Sequence, residues 1–181
     1  MSQTTPKTPT ERWSGAPNWV LHQVGWWACV LWMGWKGPLV MAFFLAAHLV
    51  MLRRELRVEI TLVTVATTIG IALDSTLSIA GAVQYEGSIL IGQAPFWLVA
   101  IWAGFGATLR HSQSIFVRSK LAAGLTGFVG GPLAYLGGEK LGRLVVHETF
   151  GMLSVSALWA VAMFTLFWTV QRLSGNTPPN P

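Results

Sequence analysis

Apolar residues fall into six blocks along this chain, separated by short polar links. The blocks are long and solid, without the apolar stripe of an amphipathic surface helix, and that is the membrane pattern. The clearest block lies within Arg57 to Gln84 and is almost unbroken from Ile60 to Val83. Roughly twenty such residues suffice to cross a bilayer as a helix. Around this third helix the pattern predicts five others. The first covers Asn18 to Gly34 and ends at Lys36-Gly37-Pro38. Proline is tolerated in a first helical turn, so Pro38 opens the second helix, Leu39 to Leu52, which is short for a full span. Pro95 opens the fourth, which extends to about Leu109; Leu121 to Gly138 forms the fifth and Thr149 to Val170 the sixth. Residues 1–17 and 173–181 read as polar tails flanking one helical domain, residues 18–172.

Composition sharpens this picture. The chain is 52% hydrophobic and only 10% charged, against about a quarter charged in an ordinary soluble domain. The net charge of +5 does not point to nucleic acid, because the basic residues flank apolar blocks and no zinc-finger or aromatic-basic RNA motif occurs. Counting them by side is informative. Lys7, Arg12, Arg53, Arg54, Arg57, Arg110, Arg118, Lys120 and Arg172 share one side, and Lys36, Lys140 and Arg143 the other. The positive-inside rule then places both termini in the cytoplasm. The expected fold is an all-α polytopic membrane protein, a bundle of six transmembrane helices. The single cysteine, Cys29, rules out a disulfide within the chain and reads as a small buried hydrophobe.

The chemistry centres on Asp74, the only aspartate, inside the third helix. A carboxyl within a membrane span is costly and marks a candidate site, catalytic or ligand-binding; the plainer reading is a hydrogen bond across helices that fixes packing. The topology puts Trp26, Trp27, Trp102, Trp159 and the Gly130-Gly131-Pro132 break at about its depth. Pro132 has no N–H and frees a carbonyl one turn earlier, so a kink or unwound turn facing the bundle is expected there. Asp74, Trp102, Gly131, Pro132 and Tyr135 are the candidate ligand-binding residues. A second layer lies toward the cytoplasmic side. There His22, His48, Arg110 and His111 are candidates for a phospholipid headgroup, since Arg is a phosphate fork and His titrates near neutrality. No histidine spacing resembles a metal motif, so neither metal nor other cofactor is expected. Trp13, Trp19, Trp35, Trp97 and Trp168 suit an interfacial belt. The outer residues Glu139, Lys140, Arg143, His147 and Glu148 suggest salt bridges across a loop.

The stretches GWWACVLW, GIALDSTL, APFWLVAIWAGFGATLRHS and GGPLAYLGGEKLG together resemble a family of small bacterial inner-membrane proteins known as a domain of unknown function. The resemblance runs from about Asn18 to Gln171. It implies a multi-pass protein of the inner membrane of a Gram-negative bacterium, in a lipid-related setting, and it supplies no catalytic residues. Walker A, dinucleotide and nucleophile-elbow motifs are absent from the sequence. Three functions compete. One is a non-catalytic accessory or scaffold in a lipid- or envelope-stress-related pathway, with membrane lipids and other membrane proteins as partners. The others are a lipid-active intramembrane enzyme using Asp74 and a small proton-coupled transporter.

Overall fold

The computed structural model of the protein describes residues 15–32 and 34–174. Six α-helices run through them: α1 (Ala16–Leu31), α2 (Lys36–Met51), α3 (Leu56–Ile79), α4 (Phe96–Gly106), α5 (Lys120–Lys140) and α6 (Glu148–Ser174). Three segments are long and apolar enough to cross a membrane: Arg53–Ile79, Lys120–Lys140 and Phe150–Leu173. The 16 residues of α1 or of α2 cover about 24 Å, and the 11 of α4 about 16 Å. All three fall short of a hydrocarbon core of about 30 Å. The expected polar tails fall mostly outside the described residues, although α1 begins at Ala16 and α6 continues to Ser174.

Helix ends follow local chemistry. Pro17 sits in the first turn of α1, where no N–H partner is needed. Ser119 caps α5, its Oγ accepting the Ala122 N–H at 3.1 Å. The fourth helix stops at Gly106, three residues earlier than the apolar pattern predicts. Side chains meet the polar groups freed there. Thr108 Oγ1 donates to the Phe105 carbonyl at 2.6 Å, and Asn18 Nδ2 donates to that of Ala107 at 3.1 Å. Asn18 Oδ1 in turn accepts from Ser112 Oγ at 2.8 Å. A buried side chain at the start of α1 thus closes the end of α4.

Two small sheets modify the all-α expectation. Strand β1 (Val83–Tyr85) pairs antiparallel with β4 (Leu144–Val146), Tyr85 opposite Leu144; β2 (Ile89–Ile91) pairs with β3 (Ala94–Pro95). The predicted link after α3 therefore holds extended, paired backbone. Pairing satisfies N–H and C=O groups beside the membrane, where water is scarce. It also fixes the α3–α4 link against the α5–α6 link.

Helices α5 and α6 pack along each other, α1 along α2, and α3 along α4, with α4 also touching α1 and α2. Glycines set the closest approaches. A Cβ on Gly106 of α4 would lie 2.7 Å from the Cα of Val63 in α3, and one on Gly127 of α5 would lie 2.5 Å from the Trp159 carbonyl oxygen in α6. Small residues at helix contacts are the usual means of packing where lipid offers no hydrophobic drive. Helix α5 continues through Pro132 without a break, so the expected unwound turn does not form. Among the outer residues, Arg143 donates to the carbonyls of Val30 and Leu31 at the end of α1, and Glu139 accepts the Val146 N–H. A cation on the last carbonyls of a helix suits its dipole. These side chains therefore secure backbone.

Candidate functional site

Asp74 lies in the C-terminal half of α3 and is completely buried. Its Oδ2 accepts from Trp102 Nε1 at 2.7 Å, and its Oδ1 accepts from the hydroxyls of Tyr85, at 2.9 Å, and Tyr135. The two hydroxyls are 3.2 Å apart. One carboxyl thus ties together α4, α5 and β1. Burial pushes the Tyr85 hydroxyl far above the ordinary phenol range, reinforced by Tyr135 and Asp74. It therefore stays protonated and remains a donor. Trp102 also stacks on Trp159 of α6, with centroids 4.8 Å apart and planes 28° apart. Gly70 makes room for this indole: a Cβ there would lie 2.0 Å from Trp102 Cγ.

Trp102 and Tyr135 form part of the wall of a cavity of about 660 Å³ between α1, α4, α5 and α6. That volume is within the range of small-molecule sites. Helix α5 lines it from Thr126 to Gly138, about 18 Å of helix, so the cavity is elongated along the bundle. Its room comes from the sequence of α5, which presents Gly127, Gly130, Gly131, Ala134 and Gly138 to it. Trp26, Trp102, Phe105, Ser112 and Gln113 also line it, and so does Trp159, which packs directly on α5: a Cβ on Gly131 would lie 2.4 Å from its Cγ. Asp74 does not line the cavity. It sits behind Trp102 and Tyr135 and holds both by their polar atoms.

The candidates from the sequence therefore separate. Asp74, Trp102 and Tyr135 come together by direct hydrogen bonds, and Gly131 faces Trp159 across the cavity wall. Pro132 is half-buried and is not a lining residue. Trp27, expected deep, is 48% exposed, whereas Trp97, expected at the interface, is buried and donates to the Glu86 carbonyl at 2.8 Å. His22 is buried and borders the cavity, and its Nε2 has no hydrogen-bond partner among the described residues.

The other three headgroup candidates turn inward. His48 Nε2 lies 3.0 Å from Glu59 Oε2, His111 Nε2 3.2 Å from Oε1, and Arg110 Nη1 2.7 Å from Oε1. Arg110 Nη2 also pairs with Glu55 at 2.7 Å. Both histidines and Glu59 are buried. They meet a carboxylate in place of the membrane surface.

Two members of these clusters escape the sequence reading: Tyr85, which looks like part of a polar link, and Glu59, which looks like the charged rim of a span. A buried acid needs partners, so His48, Arg110 and His111, from two segments near it in the fold, were the signal available for Glu59. Nothing in the sequence marks Tyr85.

The chain matches the family described as "Protein of unknown function (DUF2878)" over residues 16–165 and belongs to that family. It matches no curated protein and no solved structure.

Proposed function

We propose that this member of the family is a multi-pass protein of a Gram-negative inner membrane that holds an elongated, largely apolar molecule of lipid type between α1, α4, α5 and α6. In this reading it is a non-catalytic accessory of lipid handling. The observation that carries the proposal is the cavity, apolar over most of its wall, lined by indoles of α1, α4 and α6 and open beside Gly130 of α5. Flat rings beside open space suit a hydrocarbon chain or a fused apolar ring system. The Asp74 clamp serves this site by positioning its wall. Both carboxyl oxygens are occupied by donors, which favours positioning over an acid–base role and over a proton-coupled carrier.

Gly130→Leu tests the proposal. A Cβ at Gly130 meets no atom within 4 Å, and leucine is the better helix former. The variant is expected to accumulate normally while retaining at least about tenfold less co-purified lipid by native mass spectrometry, a loss of roughly 1.4 kcal/mol. Equal lipid retention by the two proteins, or none by the wild type, ends the cavity reading.

The same proposal includes six passes with both termini cytoplasmic, supported by the distribution of Lys and Arg between the helix ends. The helices α1, α2 and α4, shorter than the core, would complete their passes with flanking turns and local thinning. A reporter active only in the periplasm, fused at the C-terminus, is expected to be silent. Activity there would reverse the orientation.

A further inference from the structure

The cluster at Glu59 is the densest meeting of metal-ligating atoms among the described residues, and it lies outside the cavity lining. Its members come from three separate segments: His48 from the last turn of α2, Glu59 from the first turn of α3, and His111 from the turn after α4. We propose that His48, Glu59 and His111 bind one divalent first-row transition-metal ion.

The geometry supports this in three ways. The first is spacing. With bonds of about 2.0–2.2 Å, two ligand atoms on one ion stand roughly 3.0 Å apart at a right angle and 3.4 Å apart at a tetrahedral angle. Glu59 Oε2 stands 3.0 Å from His48 Nε2, and His111 Nε2 stands 3.2 Å from the other oxygen of the same carboxylate. All three ligand atoms lie within 4.8 Å of one another. Even at that limit, the imidazoles need move only a few tenths of an ångström each to reach the roughly 4.2 Å between opposite ligands. The second is orientation. Both rings turn the same nitrogen to the carboxylate. On metal binding each neutral ring carries its proton on Nδ1 and gives the Nε2 lone pair to the ion. The third is charge. Arg110 is shared between Glu59 and Glu55, so it does not fully offset the buried carboxylate. It holds Glu59 Oε1 and leaves Oε2, beside His48, to face the ion.

The donor set defines the class of ion. Two imidazoles and a carboxylate suit Zn²⁺, Fe²⁺, Mn²⁺ or Co²⁺. Ca²⁺ takes six to eight oxygens and Mg²⁺ a near-octahedral oxygen shell. Three protein ligands also leave further coordination positions. An ion here would join the α2–α3 corner to the end of α4.

Co²⁺ is the probe. The full chain, purified with a tag free of histidine and stripped with a chelator, is dialysed against Co²⁺ and desalted. About one Co²⁺ per chain is expected, with visible ligand-field bands that Zn²⁺ abolishes. His48→Gln and His111→Gln should each weaken binding by more than about tenfold. Glutamine can still donate to Glu59, so the fold is retained in these variants. His147→Gln, remote from the cluster, should bind like the wild type. A wild-type protein that retains neither Co²⁺ nor Zn²⁺ overturns the proposal, and that result stands whatever the variants do. So does undiminished binding in both His48→Gln and His111→Gln. In either case the cluster is an ion-pair network completed by protons alone.

Discussion

Asp74→Leu is expected to destabilise the protein by about 2–6 kcal/mol, the largest effect of any single substitution in the cluster behind the cavity wall. The reasoning starts from the donors. Trp102 Nε1 and the hydroxyls of Tyr85 and Tyr135 all end on this carboxyl. Without it the two hydroxyls can pair with each other, being 3.2 Å apart already. The indole N–H and one hydroxyl proton are then orphaned in a water-free interior, at about 1–3 kcal/mol each. Asp74→Asn behaves differently. Its carbonyl can accept from Trp102 and its amide can donate to the hydroxyl oxygens, so one hydroxyl proton is orphaned and the indole is not, at about 1–3 kcal/mol. Unfolding by SDS titration in mixed micelles measures both variants. Asparagine should also leave lipid retention intact. If Asp74→Asn accumulates normally but loses its lipid, the charge itself is used and the positioning role is refuted. A leucine variant as stable as the wild type would remove the clamp altogether.

Glu59→Leu is the second large effect, at about 3–5 kcal/mol, the range seen when one partner of a buried ion pair is removed. His48 and His111 each lose the carboxylate they face, and Arg110 is left with Glu55 alone. Because His48, Glu59 and Arg110 come from different helices or links, the loss should also loosen the packing of α2 and α4 on α3. Glu59→Gln keeps one acceptor oxygen and should cost about 1–2 kcal/mol. The same SDS titration, read beside accumulation in membranes, checks both. Equal stability of Glu59→Leu and wild type would show that the cluster contributes nothing to the fold.

The two clusters were legible to different degrees. Asp74 stands out because a single carboxyl in an apolar run has no cheap explanation. Depth arithmetic along the helices also brought Trp102 to its level, since rise per residue is nearly constant in an α-helix. Tyr85 could not be found that way. It reaches Asp74 only because β1 pairs with β4, and strand register is a property of two distant segments. His48 and His111 were visible as polar residues near helix ends, which ordinarily face headgroups. Only the acid opposite them turns them inward.

The sequence by itself determined that the chain is a membrane protein with six helical blocks and that one acid lies deep in the third. These follow from local quantities: the length of apolar runs and the cost of a carboxyl in hydrocarbon. The tertiary structure alone decided that α4 stops at Gly106, that α5 continues through Pro132, and that Glu59 gathers two histidines and an arginine. It also decided that Gly130 of α5 borders a cavity while Gly127 and Gly131 pack against Trp159. These depend on which faces of distant segments meet. A glycine reads the same in the sequence whether it admits a neighbouring helix, as Gly127 does, or borders a cavity with nothing near its missing Cβ, as Gly130 does. Packing separates the two, because the space beside a residue is set by the shape of its neighbours and not by its own chemistry.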